Sequence, residues 1–209
     1  GKTSGVSIVV SPLLSLMEDQ VESAMTRFQV QACLINGQTP SNEKAEIMET
    51  LEKRDDPGKF IQLLYVTPEM LSKNQRMISA FQRLHNRGHL ARIIIDEAHC
   101  VSQWGHDFRP DYKALGDVVR QFPGVPIMAL TATATQLVRA DVRSNLGIEN
   151  GRMFSQSFNR PNLSYEVLPK GKGMVNTFAD LIKERYHRKS GIIYCLSRKN
   201  CEDVAKKLT

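Results

Sequence analysis

The stretch Ile93-Ile94-Ile95-Asp96-Glu97-Ala98-His99 decides how the chain is read. Three β-branched apolar residues in a row describe a strand buried on both faces of a parallel sheet, and two carboxylates follow at its C-terminal end. Open α/β sheets bind their ligands at that end. In a nucleoside triphosphatase, Asp96 would hold Mg²⁺ through its water shell, Glu97 would orient and polarise the attacking water, and His99 would sit beside the γ-phosphate. Acids after a buried strand also cap the next helix, and an isolated Asp-Glu pair favours capping.

Working outward, strand-like runs recur at 6–10, 30–35, 61–66, 92–95, 126–130, 163–167 and 192–195. Helical periodicity separates most of them. After Ser11-Pro12, the residues Leu13, Met17, Val21, Ala24 and Phe28 fall on one helical face, with Ser11 as the expected N-cap. Further helices are expected over 41–53, 73–86, 111–121, 136–145, 174–187 and 199–208. Such alternation predicts an α/β fold with right-handed crossovers in a mainly parallel sheet. The periodicity breaks around Phe158-Asn159-Arg160-Pro161-Asn162 and again around Pro169-Lys170-Gly171-Lys172-Gly173. A domain boundary is expected there, giving one domain over 1–160 and a linker with the opening of a second over 161–209.

The 209 residues are 41% hydrophobic and 24% charged, enough for a sizeable core. No apolar run approaches the ~20 residues of a membrane span, and the first residues lack a signal peptide's order. Cys33, Cys100, Cys195 and Cys201 are scattered without a C-x-x-C pair, which fits reduced thiols and offers no structural zinc spacing. The net charge of +6 is uneven: residues 170–209 hold ten Lys/Arg against four Asp/Glu, and the remainder balances. That surplus suits a phosphate backbone, although solvated helix faces produce it too.

Gly1-Lys2-Thr3 invites reading as the end of a phosphate-binding loop. Such a loop opens a helix, and a βαβ crossover takes at least ~10–12 residues, whereas a strand already starts at Val6. The triplet is read as a decoy. If Asp96 and Glu97 serve an ATPase, its phosphate-gripping half is expected upstream of Gly1.

Beyond His99 lies Cys100-Val101-Ser102-Gln103-Trp104-Gly105-His106-Asp107-Phe108-Arg109-Pro110-Asp111-Tyr112, which holds the single Trp of the chain. Aromatics and Arg in a polar loop suit stacking on unpaired bases, worth ~1–3 kcal/mol per base. The competing reading is that Trp104 and Phe108 pack under the sheet.

Together, Asp96–His99 and this loop resemble the RecQ family of DNA helicases, most closely its eukaryotic, Bloom-type members. Ser11-Pro12-Leu13-Leu14-Ser15-Leu16-Met17-Glu18-Asp19-Gln20-Val21 is similar to motif Ia and Tyr65-Val66-Thr67-Pro68-Glu69-Met70 to Ib. Thr131-Ala132-Thr133-Ala134-Thr135 resembles motif III, Ser157–Leu163 the entry to the second lobe, and Ile192–Arg198 motif IV.

The resemblance implies most of a first RecA-like lobe, a P-loop NTPase type of sheet lacking its phosphate loop, and the start of a second lobe. It implies a nuclear ATP-dependent 3′-to-5′ DNA helicase of recombination and repair, using ATP and Mg²⁺ and binding single-stranded and junction DNA. On its terms Asp96 positions Mg²⁺, Glu97 is the base, and His99 links nucleotide to DNA. Trp104, His106, Phe108 and Arg109 sense single-stranded DNA, while Thr131 and Thr133 couple hydrolysis to lobe movement.

The hydroxyls of Ser11 and Thr67, placed where strands end and helices begin, suit DNA phosphates, as do Ser197 and Arg198 after the second-lobe strand. Ser11 could equally be only an N-cap, and Thr135 is expected to cap the helix from Gln136. The missing upstream loops and second-lobe arginine imply a fragment inactive by itself. A DEAH-type RNA helicase, a non-catalytic nucleic-acid-binding module and a protein-binding scaffold are the alternatives.

Overall fold

The computed structural model describes residues 4–157, 159–169, 171 and 173–208. Gly1-Lys2-Thr3, Phe158, Lys170 and Lys172, which entered the sequence reading, lie outside the described residues. The chain divides into two units, Gly1–Met153 and Phe154–Thr209. The division falls seven residues before the boundary drawn from the Asn-Arg-Pro-Asn break.

The first unit is built on five parallel strands: β1 (Val6–Val10), β2 (Ala32–Ile35), β3 (Leu63–Val66), β4 (Leu90–Ile95) and β5 (Ile127–Ala129), in the order β2-β3-β1-β4-β5. This is the expected α/β architecture. Side chains alternate across the sheet, as the two-residue period of a strand requires. Ile8, Val10, Ile93 and Ile95 join the larger core. Val9, Tyr65 and the half-buried Ile94 face a smaller cluster with Met17 and Val21 of α1 (Leu14–Phe28).

The larger core is closed by α2 (Ser41–Lys53), α3 (Pro68–Lys73), α4 (Gln75–Asn86), α5 (Pro110–Lys113), α6 (Leu115–Val119) and α7 (Gln136–Leu146). Local chemistry sets several ends. The Asn74 side chain accepts from Met77 N at 3.2 Å at the start of α4. Thr135 Oγ1 accepts from Val138 N at 3.3 Å to open α7, and Gly147 closes it in the left-handed region at φ 67°. Thr135 is thus the cap the sequence predicted.

Three expectations change. Ser11 does not cap α1; Leu13 takes the N-cap position without a side-chain bond. The helix expected over 111–121 is two short helices, α5 opening on Pro110, with Ala114 between them. The strands expected over 163–167 and 192–195 are not formed. A strand is stabilised by a neighbour's ladder of hydrogen bonds, and the second unit has none among the described residues. Its regular elements there are α8 (Met174–Arg185) and α9 (Arg198–Leu208), and Tyr194 and Leu196 stand 89% and 99% exposed.

The strand order positions the site. From β1 the chain leaves toward β2, and from β4 it leaves the opposite way toward β5, although β1 and β4 are neighbours. Their C-terminal ends therefore flank a topological switch point, where open α/β sheets form a ligand crevice. Ser11 follows one strand and Asp96 the other.

Candidate functional site: an acid elbow tied to an aromatic loop

At the end of β4 the backbone turns sharply. Asp96 N donates to Val10 O at 2.9 Å, which extends the β1–β4 pairing by one bond. Glu97 then adopts φ 48°, ψ 42°, a left-handed conformation uncommon for a residue with a Cβ. A 3₁₀ turn over Ala98–Val101 follows. Strain of this kind persists where surrounding bonds over-determine it, and here they do. Glu97 N donates to Asp96 Oδ1 at 3.0 Å, Ala98 N to Leu130 O at 2.8 Å, and the Tyr112 hydroxyl to the Asp96 carbonyl at 2.9 Å.

Tyr112 is fully buried, and burial pushes its phenol pKa upward, so the hydroxyl stays a donor. Ser11, also fully buried, directs Oγ to Asp96 Oδ2 at 3.5 Å. Its hydroxyl faces the acid, which adds a role as anchor of Asp96 to the phosphate contact expected from the sequence. The sequence signal, a serine at a strand end before Pro12, is the same for both roles.

His99 connects three parts. Its Nδ1 lies 3.0 Å from Thr131 Oγ1 and 3.2 Å from Glu97 Oε2. Thr131 Oγ1 lies 3.2 Å from both the carbonyl and the amide nitrogen of Thr133, so the post-β5 turn is cross-braced. The His99 ring stacks on His106, centroids 4.6 Å apart and planes 16° from parallel. The acid elbow, the threonine turn and the aromatic loop therefore meet at one imidazole.

The loop is folded back by its own bonds. Arg109 N donates to Cys100 O at 3.0 Å, and Trp104 N to Ser102 Oγ at 3.2 Å. A Cβ on Gly105 would come within 2.7 Å of His99 O, so the tight approach requires glycine. Arg109 grips Asp107 Oδ2 through Nε at 3.2 Å and Nη2 at 2.8 Å. That hydrogen bond holds the Asp107 carboxyl below its ordinary range.

Trp104 is 70% exposed, which removes the reading that it packs under the sheet; Phe108 is half-buried. Thr67 opens α3 without spending its hydroxyl on a cap bond. Ser197 and Arg198 belong to the second unit, where Ser197 Oγ accepts from Asn200 N at 3.2 Å.

In this arrangement an acidic elbow stands at the crevice of a switch-point sheet, joined to an exposed aromatic loop. The chain belongs to the DEAD/DEAH box helicase family, whose model matches residues 1–140. Its relatives are RecQ-type enzymes.

It is 48% identical to the RecQ-like DNA helicase BLM of Xenopus laevis over 98% of this chain and 15% of that protein. It is 45% identical to the ATP-dependent DNA helicase hus2/rqh1 of Schizosaccharomyces pombe over 100% of this chain and 15% of that one. A putative ATP-dependent DNA helicase Q1 of Caenorhabditis briggsae matches at 44%, covering 98% and 33%. The chain thus spans a third or less of the length of these relatives.

Among solved structures, the DUF1998 helicase MrfA superposes with a TM-score of 0.62 at 15% identity, over 98% of this chain and 31% of that one. That likeness agrees with the RecA-like fold of the first unit.

Proposed function

We propose that the chain is part of the motor of an ATP-dependent DNA helicase of RecQ type, acting 3′ to 5′ in nuclear recombination and repair. The observation that carries this reading is the continuous set of contacts from Glu97 through His99 to Thr131 on one side and His106 on the other. A motor needs its hydrolytic acid to register both strand occupancy and lobe position. Here one buried imidazole touches all three elements.

Asp96 and Glu97 fit a Mg²⁺–nucleotide site. Their carboxylates emerge at the switch point, and Asp96 is oriented by Glu97 N and Ser11 Oγ. Oxygen donors of this kind suit Mg²⁺ held through water, and the ion when bound would neutralise charge on the triphosphate. Glu97 would accept the proton of the attacking water. His99, bonded to Glu97 and Thr131, would hold that carboxylate in place.

The exposed Trp104 would stack on an unpaired base, while Thr67, Arg109, Ser197 and Arg198 would meet the strand's phosphates. His106 and Phe108 would relay occupancy of the loop to His99. Thr131 and Thr133 would carry the change toward the second lobe.

The test is strand separation by the full-length protein on duplexes bearing a 3′ or a 5′ single-stranded tail, as DNA and as RNA. ATP-dependent unwinding of 3′-tailed DNA is expected. Unwinding of RNA with none on tailed DNA would overturn the reading.

A further inference from the structure

We infer that His99, Cys100 and Asp107 form a site for one thiophilic divalent cation of the Zn²⁺ class, distinct from the carboxylates of Asp96 and Glu97. A ring nitrogen of His99, Sγ of Cys100 and a carboxylate oxygen of Asp107 all lie within 4.8 Å of one another. One nitrogen, one sulfur and one oxygen form the donor set of a zinc site with an open fourth position for water. Asp96 and Glu97 offer oxygen alone, which suits a hard ion instead.

Two further observations point to a ligand. Cys100 Sγ stands 3.6 Å from Asp107 Oδ2. In a tetrahedral zinc site with Zn–S of about 2.3 Å and Zn–O of about 2.0 Å, those atoms would be about 3.5 Å apart, so little movement is needed. The second is the support of the imidazole. Metal-bound histidines place their other ring nitrogen on a carboxylate or similar partner, and Nδ1 of His99 already has Thr131 Oγ1 at 3.0 Å and Glu97 Oε2 at 3.2 Å. On this assignment Nε2 is the ligating nitrogen.

On binding, the Cys100 S–H bond breaks, its proton passes to solvent, and the thiolate, imidazole nitrogen and carboxylate oxygen donate electron pairs to the ion. Nothing is oxidised or reduced. Two features oppose binding and make the site exchangeable rather than structural. Burial and the neighbouring Asp107 push the thiol up to about 11, and Arg109 holds the same carboxylate at 2.8 Å. An ion here would pin residues 102–109 to the acid elbow, so it would brake the loop if the helicase reading is right. The binding itself does not depend on that reading.

The probe is Co²⁺ titrated into the 209-residue chain, followed by its thiolate-to-cobalt charge-transfer band and then by displacement with Zn²⁺. Trp104, the single Trp, supplies a second signal through its fluorescence. One equivalent of Co²⁺ should give the band, Zn²⁺ should erase it while shifting Trp104 emission, and Cys100→Ser should abolish both responses. Asp107→Asn, at a half-exposed position, should weaken binding about tenfold or more even if the buried cysteine variant fails to fold. Arg109→Gln should tighten it. Absence of the band in the wild-type chain, or a band that survives in Cys100→Ser or keeps its affinity in Asp107→Asn, would overturn the assignment.

Discussion

Replacing Tyr112 by Phe is the sharpest test of how the elbow is held. The substitution keeps the ring in its fully buried slot and removes only the hydroxyl that donates to Asp96 O at 2.9 Å. No cavity of note opens, so the cost is that of a buried carbonyl losing a donor, about 1–3 kcal/mol. For a chain of this size each kcal/mol moves Tm by about 2–4 °C, so a fall of roughly 2–12 °C is expected.

Thermal unfolding of the 209-residue chain by circular dichroism would measure it. In the full-length protein the same variant should lower kcat for ATP more than it raises KM, since the bond positions Asp96 without touching nucleotide. An unchanged Tm would show that the hydroxyl does not hold the elbow, and an unchanged kcat would separate the bond from turnover.

Trp104→Ala should reduce DNA stimulation of ATP hydrolysis in the full-length protein by about fivefold or more, taking one stacked base at ~1–3 kcal/mol, with basal hydrolysis little changed; equal loss of both would show that Trp104 does not report bound DNA. Asp111 bonds Ser72 Oγ at 2.6 Å and Lys73 Nζ at 3.2 Å, and the Ser72 bond foremost keeps its carboxyl below the ordinary value.

A depressed carboxyl stabilises the fold above its unfolded pKa of about 3.9, and the contribution is lost as pH falls through the lower folded value. Acid titration of the wild-type chain below about pH 4 should therefore show a loss of stability that Asp111→Asn lacks, at a cost of about 1 kcal/mol or less near neutrality. Identical acid profiles would refute the linkage between α3 and α5.

Much of the first unit was legible because its signals are local. The Ile93–Ile95 run, the N-cap at Thr135 and the alternation of elements each follow from neighbouring residues. Ser11 shows the limit: a serine at a strand end reads as a cap or a phosphate contact, and only the β1–β4 adjacency reveals that it faces Asp96.

The same holds for Tyr112, whose role depends on a contact sixteen residues away. Asp107 and Cys100 were visible as residue types in the loop, but their pairing required the fold-back at Gly105. In the second unit, apolar runs at 163–167 and 192–195 have strand propensity without a described neighbour to pair with, and propensity alone does not make a strand.

The role proposed for Glu97 is to drive DNA-stimulated hydrolysis of ATP from this elbow. The direct measurement is ATP turnover by the full-length protein, wild type against Glu97→Gln, with and without single-stranded DNA, alongside nucleotide binding. Turnover should be stimulated by DNA in the wild type and abolished in the variant, with nucleotide still bound. Retained, DNA-stimulated turnover in Glu97→Gln would contradict it.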